Sequence, residues 1–327
     1  MQSLKKYSNI TGLLVFFISL FVYYHSVERT GSLWDCGEFI LGAYKLQVVH
    51  PPGAGLFVII GRMFAWLATV FSDDPADIAF AVNLMSAICT SIAAMMIAWT
   101  TIMFGKLALL GRNTDTSNAE NIALSFAGLV AGLATAFSTS IWFSAVEGEV
   151  YAMSTMFTVM TLWAATKYYY IEDESEALRW LVLSLFVSGM SVGVHLLSIL
   201  SLPAIALLVY YKKYKEHTIK GALIAMAAGV AAIVFIMKVV IVGIPTLWKN
   251  MELLFVNSFG LPVHSGIIPT LLIVAAVGYF GVKYAQKKGS QLLQVAAISA
   301  ILITVAFSTI GVVVIRANTD TPINMNV

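Results

Sequence analysis

Apolar stretches long enough to cross a lipid bilayer recur along this whole chain, and they decide what it can fold into. A helix needs about 20 apolar residues to cross the hydrocarbon core, with about 17 as a lower bound. Ten stretches approach or exceed that length: 10–25, 53–71, 80–104, 122–142, 150–170, 178–194, 196–211, 221–243, 266–284 and 292–314. Of 327 residues, 59% are hydrophobic and only 11% charged, where a soluble domain carries about a quarter charged residues. The expected class is an all-α polytopic membrane protein. A net charge of +2 is too small to point to a nucleic-acid partner. Cys36 and Cys89 suggest neither a disulfide framework nor a metal cluster. Lys5 and Lys6 precede the first apolar run, and His25-Ser26-Val27-Glu28-Arg29 after it offers no small-residue cleavage site. The run therefore reads as a retained first span.

The stretch 53–71 is the doubtful one. It carries Arg62 near its centre and opens on Pro51-Pro52-Gly53-Ala54-Gly55. An unpaired arginine at mid-bilayer is costly, and such a segment suits a helix lying on the membrane surface. Basic residues concentrate on the cytoplasmic side of membrane proteins. With 53–71 on the outer surface, thirteen Lys and Arg fall inside and six outside. With 53–71 as a span, five fall inside and thirteen outside, and Arg62 is stranded. The first arrangement gives about nine spans, an internal N-terminus, and a first outer loop 26–79 containing surface helix 53–71. Residues 178–211 then form an outward hairpin at Gly193-Val194-His195.

This topology sorts the acids. Asp35, Glu38, Asp73, Asp74, Asp77, Glu147, Glu149, Glu252 and Asp320 face outward with His25, His50, His195 and His264, whereas Glu172–Glu176 forms an inner solvated turn. Asp35 and Glu38, spaced i and i+3, share a face if Trp34–Tyr44 is helical. Two adjacent carboxylates near lipid suit general-base chemistry, and a plain helix cap is the competing reading. Glu147-Gly148-Glu149-Val150-Tyr151 places two acids at an outer turn, fit to hold a divalent cation or sugar hydroxyls, or simply to sit at a helix N-terminus. His195 and His264 are weaker signals, since single interfacial histidines are usually structural. Arg316, with Asn318 nearby, suits a phosphate at headgroup depth or a plain interfacial anchor. No nucleotide loop, nucleophilic triad or Cys/His metal spacing is present. An outward-facing enzyme without nucleotides needs a membrane-borne donor.

Leu33-Trp34-Asp35-Cys36-Gly37-Glu38-Phe39, His50-Pro51-Pro52-Gly53, Val146-Glu147-Gly148-Glu149-Val150-Tyr151 and Gly193-Val194-His195 resemble, in this order, the GT-C glycosyltransferases. They are most similar to the protein O-mannosyltransferases, and within these to a branch of bacterial membrane proteins related to the vertebrate O-mannosyltransferase of plexin-type domains. Gly53 stands where many members have leucine, and Asp-x-x-Glu where many have Asp-Glu.

The resemblance implies a GT-C-like bundle forming a single module over 1–327, with a further C-terminal part expected beyond it. It implies transfer of a sugar, mannose first, from a polyprenyl-phosphate donor to a hydroxyl of an exported protein or glycan, with inversion. Asp35 would be the catalytic base with Glu38 beside it. His50, Glu147, Glu149, Tyr151, His195, His264, Arg316 and Asn318 would bind substrate, with Arg316 at the lipid phosphate. A divalent cation, Mg or Mn, is an optional cofactor. The expected location is the bacterial inner membrane, with the active site extracytoplasmic. The rival is a secondary transporter or lipid-linked-substrate flippase, for which Lys238 within 221–243 is the one favourable residue.

Overall fold

A computed structural model describes residues 2–112, 115–319 and 321–325. Asp320, expected on the outer side, lies outside the described residues. The described chain is helical, and its only β-pairing is an isolated bridge between Val48 and Asn324.

Helix α1 (Gln2–Tyr24) is followed by the loop bearing two short helices, α2 (Cys36–Lys45) and α3 (Gly55–Thr69). Then come α4 (Pro75–Leu110), α5 (Asn118–Ala136), α6 (Thr139–Val146), α7 (Val150–Tyr170) and α8 (Glu174–Val192). A 3-10 turn, Leu196–Ser201, leads into α9 (Leu202–Lys213). The chain closes with α10 (Ile219–Phe235), α11 (Ile244–Leu253), α12 (Ile267–Lys287), α13 (Gln291–Phe307) and α14 (Gly311–Ala317).

Among the described residues, eight helical stretches are long and apolar enough to cross a membrane. The 21-residue α7 matches them in length but is less apolar. It packs between α4 and α8, where buried Ser154, Thr161 and Thr166 meet protein rather than lipid. Ser184 Oγ, for example, donates to the Thr161 carbonyl at 2.8 Å. About nine spans are expected from the sequence; eight stretches among the described residues are long and apolar enough, and α7 has the length but not the apolarity. Helix α3, 15 residues long, reaches only about 22 Å, too short for a hydrocarbon core of about 30 Å.

Some expected boundaries move. Helix α4 runs 36 residues, well beyond 80–104, because Asp74 caps it by accepting from the Ala76 N–H at 2.9 Å and Pro75 opens it. The stretch 122–142 is split, since α5 ends at Ala136 and α6 starts after Ser138. The stretch 221–243 is part of one continuous 40-residue helix, Ile219–Ser258. Its π-helical segments Ile236–Gly243 and Leu254–Ser258 absorb the Pro245 that would otherwise end it. Lys238 lies about 28 Å along this helix from Ile219, near the far edge of a hydrocarbon core rather than its middle.

Helices approach closely where glycines allow it. A Cβ on Gly132 of α5 would lie 3.0 Å from the Ala94 carbonyl of α4, and one on Gly189 of α8 would lie 2.9 Å from Ile303 Cα of α13. Neither backbone can yield without separating its helices. Gly189→Leu should therefore cost about 1–3 kcal/mol, read as a lowered unfolding midpoint in detergent; an unchanged midpoint would contradict this packing.

Candidate active site

Helix α2 carries the first part of the site. Asp35 occupies its N-cap position, is exposed, and makes no side-chain capping hydrogen bond, so the capping role open from sequence is not the one it plays. The helix begins at Cys36, two residues later than the expected Trp34. Glu38, in its first turn, accepts the His50 backbone N–H at 2.5 Å, and His50 Nδ1 lies 3.2 Å from each of its carboxylate oxygens. His50 reaches back because α2 ends abruptly. Leu46 is left-handed (φ 49°), and the Gln47 N–H returns to the Gly42 carbonyl at 2.8 Å. Phe39 packs edge-on against the imidazole, with ring centres 5.4 Å apart.

A buried polar junction ties α2 to the Glu147 turn. Asn83 of α4 is fully buried and donates to the Glu28 and Thr30 carbonyls at 2.8 and 3.0 Å. The Cys36 thiol donates to Asn83 Oδ1 at 3.6 Å, and the Gly148 N–H donates to Cys36 Sγ at 3.3 Å. A Cβ on Gly148 would stand 2.8 Å from Asn83 Oδ1, so only glycine fits there. Ser32 Oγ hydrogen-bonds the Glu147 carboxylate. From the sequence alone, Ser32, Cys36 and Asn83 carry no assigned role. An asparagine at the end of an apolar run was the available signal.

Glu149 precedes α7 and is 5% exposed. Burial pushes its carboxyl up to about 7; the nearby charges of Asp35 and Glu147 push the same way, against the Val150 N–H and His50. Two residues onward, the Tyr151 ring lies 5.4 Å from that of His195. His195 Nδ1 accepts the Leu197 N–H at 3.3 Å, and burial lowers its pKa, keeping the ring neutral at pH 7. The Leu56 N–H, donating to the Gly193 carbonyl at 2.8 Å, joins this hairpin to α3.

The structure thus brings Asp35, Glu38, His50, Glu147, Glu149, Tyr151 and His195 to one end of the bundle. Three predicted residues lie elsewhere. Arg316 Nε donates to the Leu46 carbonyl at 2.7 Å, at the far end of α2, about 15 Å along the helix from Asp35. Asn318 Nδ2 donates to the Val314 carbonyl at 2.8 Å, within its own helix terminus. His264, with φ 75°, gives its backbone N–H to Glu252 in a separate loop. Arg62 donates to the Tyr44 carbonyl, so the two arginines together cap the negative end of α2.

Asp35, Glu38 and His50 also offer one ligand atom each within 4.8 Å of one another. Two carboxylates and an imidazole suit a divalent first-row metal such as manganese.

The raised carboxyl of Glu149 has a consequence for stability. Its ordinary value is 4.5 and its folded value about 7, so ionising it costs the folded state. That cost is absent below about pH 4.5 and complete above about pH 7. Glu149→Gln should therefore melt a few degrees above the parent at pH 8.5, with the gap closing at pH 4.5. A gap independent of pH would contradict the assignment.

Residues 35–218 match the family described as the protein O-mannosyl-transferase TMEM260 N-terminal domain. The matched region holds every residue of the acid cluster and excludes His264, Arg316 and Asn318. The protein O-mannosyl-transferase tmem260 of Dictyostelium discoideum is 28% identical over 166 residues, 50% of this chain and 18% of that protein. The chain thus spans about a fifth of the length of this curated relative. No solved structure matches it. With more than half of its length matched, the chain belongs to the TMEM260 N-terminal domain family of protein O-mannosyl-transferases.

Proposed function

We propose that this chain carries the catalytic centre of a GT-C-type glycosyltransferase. It moves a hexose, mannose first, from a polyprenyl phosphate to a hydroxyl of an exported protein. The observation that carries this reading is the gathering of four carboxylates and two histidines at one end of an apolar bundle. Thirteen lysines and arginines belong, by the alternation of the helices, to the opposite end. The positive-inside rule makes the acidic end extracytoplasmic, where nucleotide sugars are absent and a lipid-borne donor is available. A transporter or flippase would instead place ionisable groups at mid-depth.

The acceptor oxygen attacks the anomeric carbon as the bond from that carbon to the phosphate oxygen breaks. The polyprenyl phosphate leaves with the electron pair, and the configuration inverts. Asp35 takes the acceptor proton, since it is exposed and committed to no capping bond. Glu38 and His50 orient each other across the loop. Glu149, poised near neutrality, exchanges hydrogen bonds with sugar hydroxyls as donor or acceptor. Arg316 is not given the phosphate, because its guanidinium holds the C-terminus of α2. A divalent cation would be held by one ligand atom each of Asp35, Glu38 and His50, with the second Asp35 oxygen left for the acceptor proton, and would supply charge neutralisation to the departing phosphate.

With a radiolabelled polyprenyl-phosphate mannose and an acceptor protein, Asp35→Asn should lower transfer by about 10³-fold or more while the protein still inserts and purifies normally. Full activity in Asp35→Asn would remove the base from this account. Chelation with EDTA should lower transfer, with manganese restoring it. Unchanged transfer after chelation would limit Asp35, Glu38 and His50 to metal-free roles.

A further inference from the structure

The end of the bundle opposite the acids contains a cavity of about 390 Å³ between α1, α4 and α7. Its lining joins Lys5, Lys106 and Lys167 with Trp99, Trp163 and Tyr170, and contains no carboxylate. Lys106, on α4, lies about 35 Å from Asn83 of the acid junction. This cavity therefore cannot belong to the site described above.

A lysine is rarely buried without strong reason, yet Lys106 is only 2% exposed. It is fixed by the Arg112 carbonyl and the Tyr170 hydroxyl, both at 2.9 Å, so its ammonium is held in place. Lys167 Nζ stands 5.6 Å over the Trp163 ring. Trp99 and Trp163 form one wall, with ring centres 5.8 Å apart. The indole N–H of Trp163 is buried and has no hydrogen-bond partner among the described residues. A buried unpaired donor costs about 1–3 kcal/mol, and the residue that carries it belongs to the lining of this cavity together with three lysines. The Trp99 N–H, by contrast, is satisfied by the Ser8 carbonyl at 3.0 Å.

We propose that this cavity binds a phosphate-bearing anion, the headgroup of an acidic phospholipid in the adjacent leaflet. Phosphate oxygens satisfy several donors at once, and three lysines with an indole N–H supply them from different helices. The apolar part of the lining, Leu4, Ile102 and Met103, meets the glycerol and first methylenes. Basic pockets between transmembrane helices are suited to such headgroups, and the volume falls in the range of small-molecule sites. Occupancy clamps α1, α4 and α7 together at the end remote from chemistry.

The test uses the full chain purified in a neutral detergent and examined by native mass spectrometry. The probes are phosphatidylglycerol, phosphatidylcholine and inorganic phosphate. One phosphatidylglycerol should be retained per protein, at least tenfold more tightly than phosphatidylcholine. Lys5→Gln with Lys167→Gln should weaken retention tenfold or more, and Trp163→Phe, which keeps the ring but removes the N–H, several-fold. Lys283→Gln with Lys287→Gln, on α12 at the same end, should change nothing. Displacement of the lipid by millimolar phosphate supports the anion site and shows that a free phosphate can occupy it. Equal retention of both lipids, or equal loss in the two lysine pairs, would overturn the proposal.

Discussion

The structure depends on one buried polar junction, where Asn83 of the longest-buried span meets the first loop and the Glu147 turn. The Asn83 amide is fully buried, so each of its polar atoms must find a protein partner. Asn83 meets the Glu28 and Thr30 carbonyls, and through the Cys36 thiol it reaches the Gly148 N–H. These contacts fix α2 against the start of α7. The distances among Asp35, Glu38, Glu149 and His50 follow from that fixation, because their carriers belong to segments far apart in sequence.

The bundle is polarised along its axis. At one end, burial and then the neighbouring acids Asp35 and Glu147 raise the Glu149 carboxyl, and Asp35 itself is open to solvent. At the other, lysines are seated among tryptophan and tyrosine rings, as at a membrane interface. Arg62 and Arg316 are engaged with α2 rather than with the acids. Both turn toward the C-terminal carbonyls of α2, where the helix dipole favours a cation. In the proposed reaction neither guanidinium is placed to meet a leaving phosphate, which gives the Asp35, Glu38 and His50 donor set its chemical interest.

Much of this was legible in the sequence. Runs of about 20 apolar residues mark spans because the bilayer sets the length, and the stretch 53–71, doubted because of Arg62, forms a helix of only 15 residues. The Asp35–Glu38 spacing and the Gly148 turn signalled the acids through simple helix and glycine geometry. Partnerships were not legible. Nothing local says that Glu38 takes His50, that Cys36 bonds Gly148, or that Arg316 returns to Leu46 across 270 residues of sequence. The unbroken helix through Pro245 was also hidden, because π-helical turns follow from packing rather than from residue type.

The most direct test of the central claim is an experimental structure with a non-transferable polyprenyl phosphonate mannoside bound. The account predicts the sugar beside Asp35, with its hydroxyls toward Glu149 and its lipid leaving between the helices at the acidic end. A sugar seated away from Asp35, at mid-bundle or at the lysine-lined cavity beside Lys106, would contradict it.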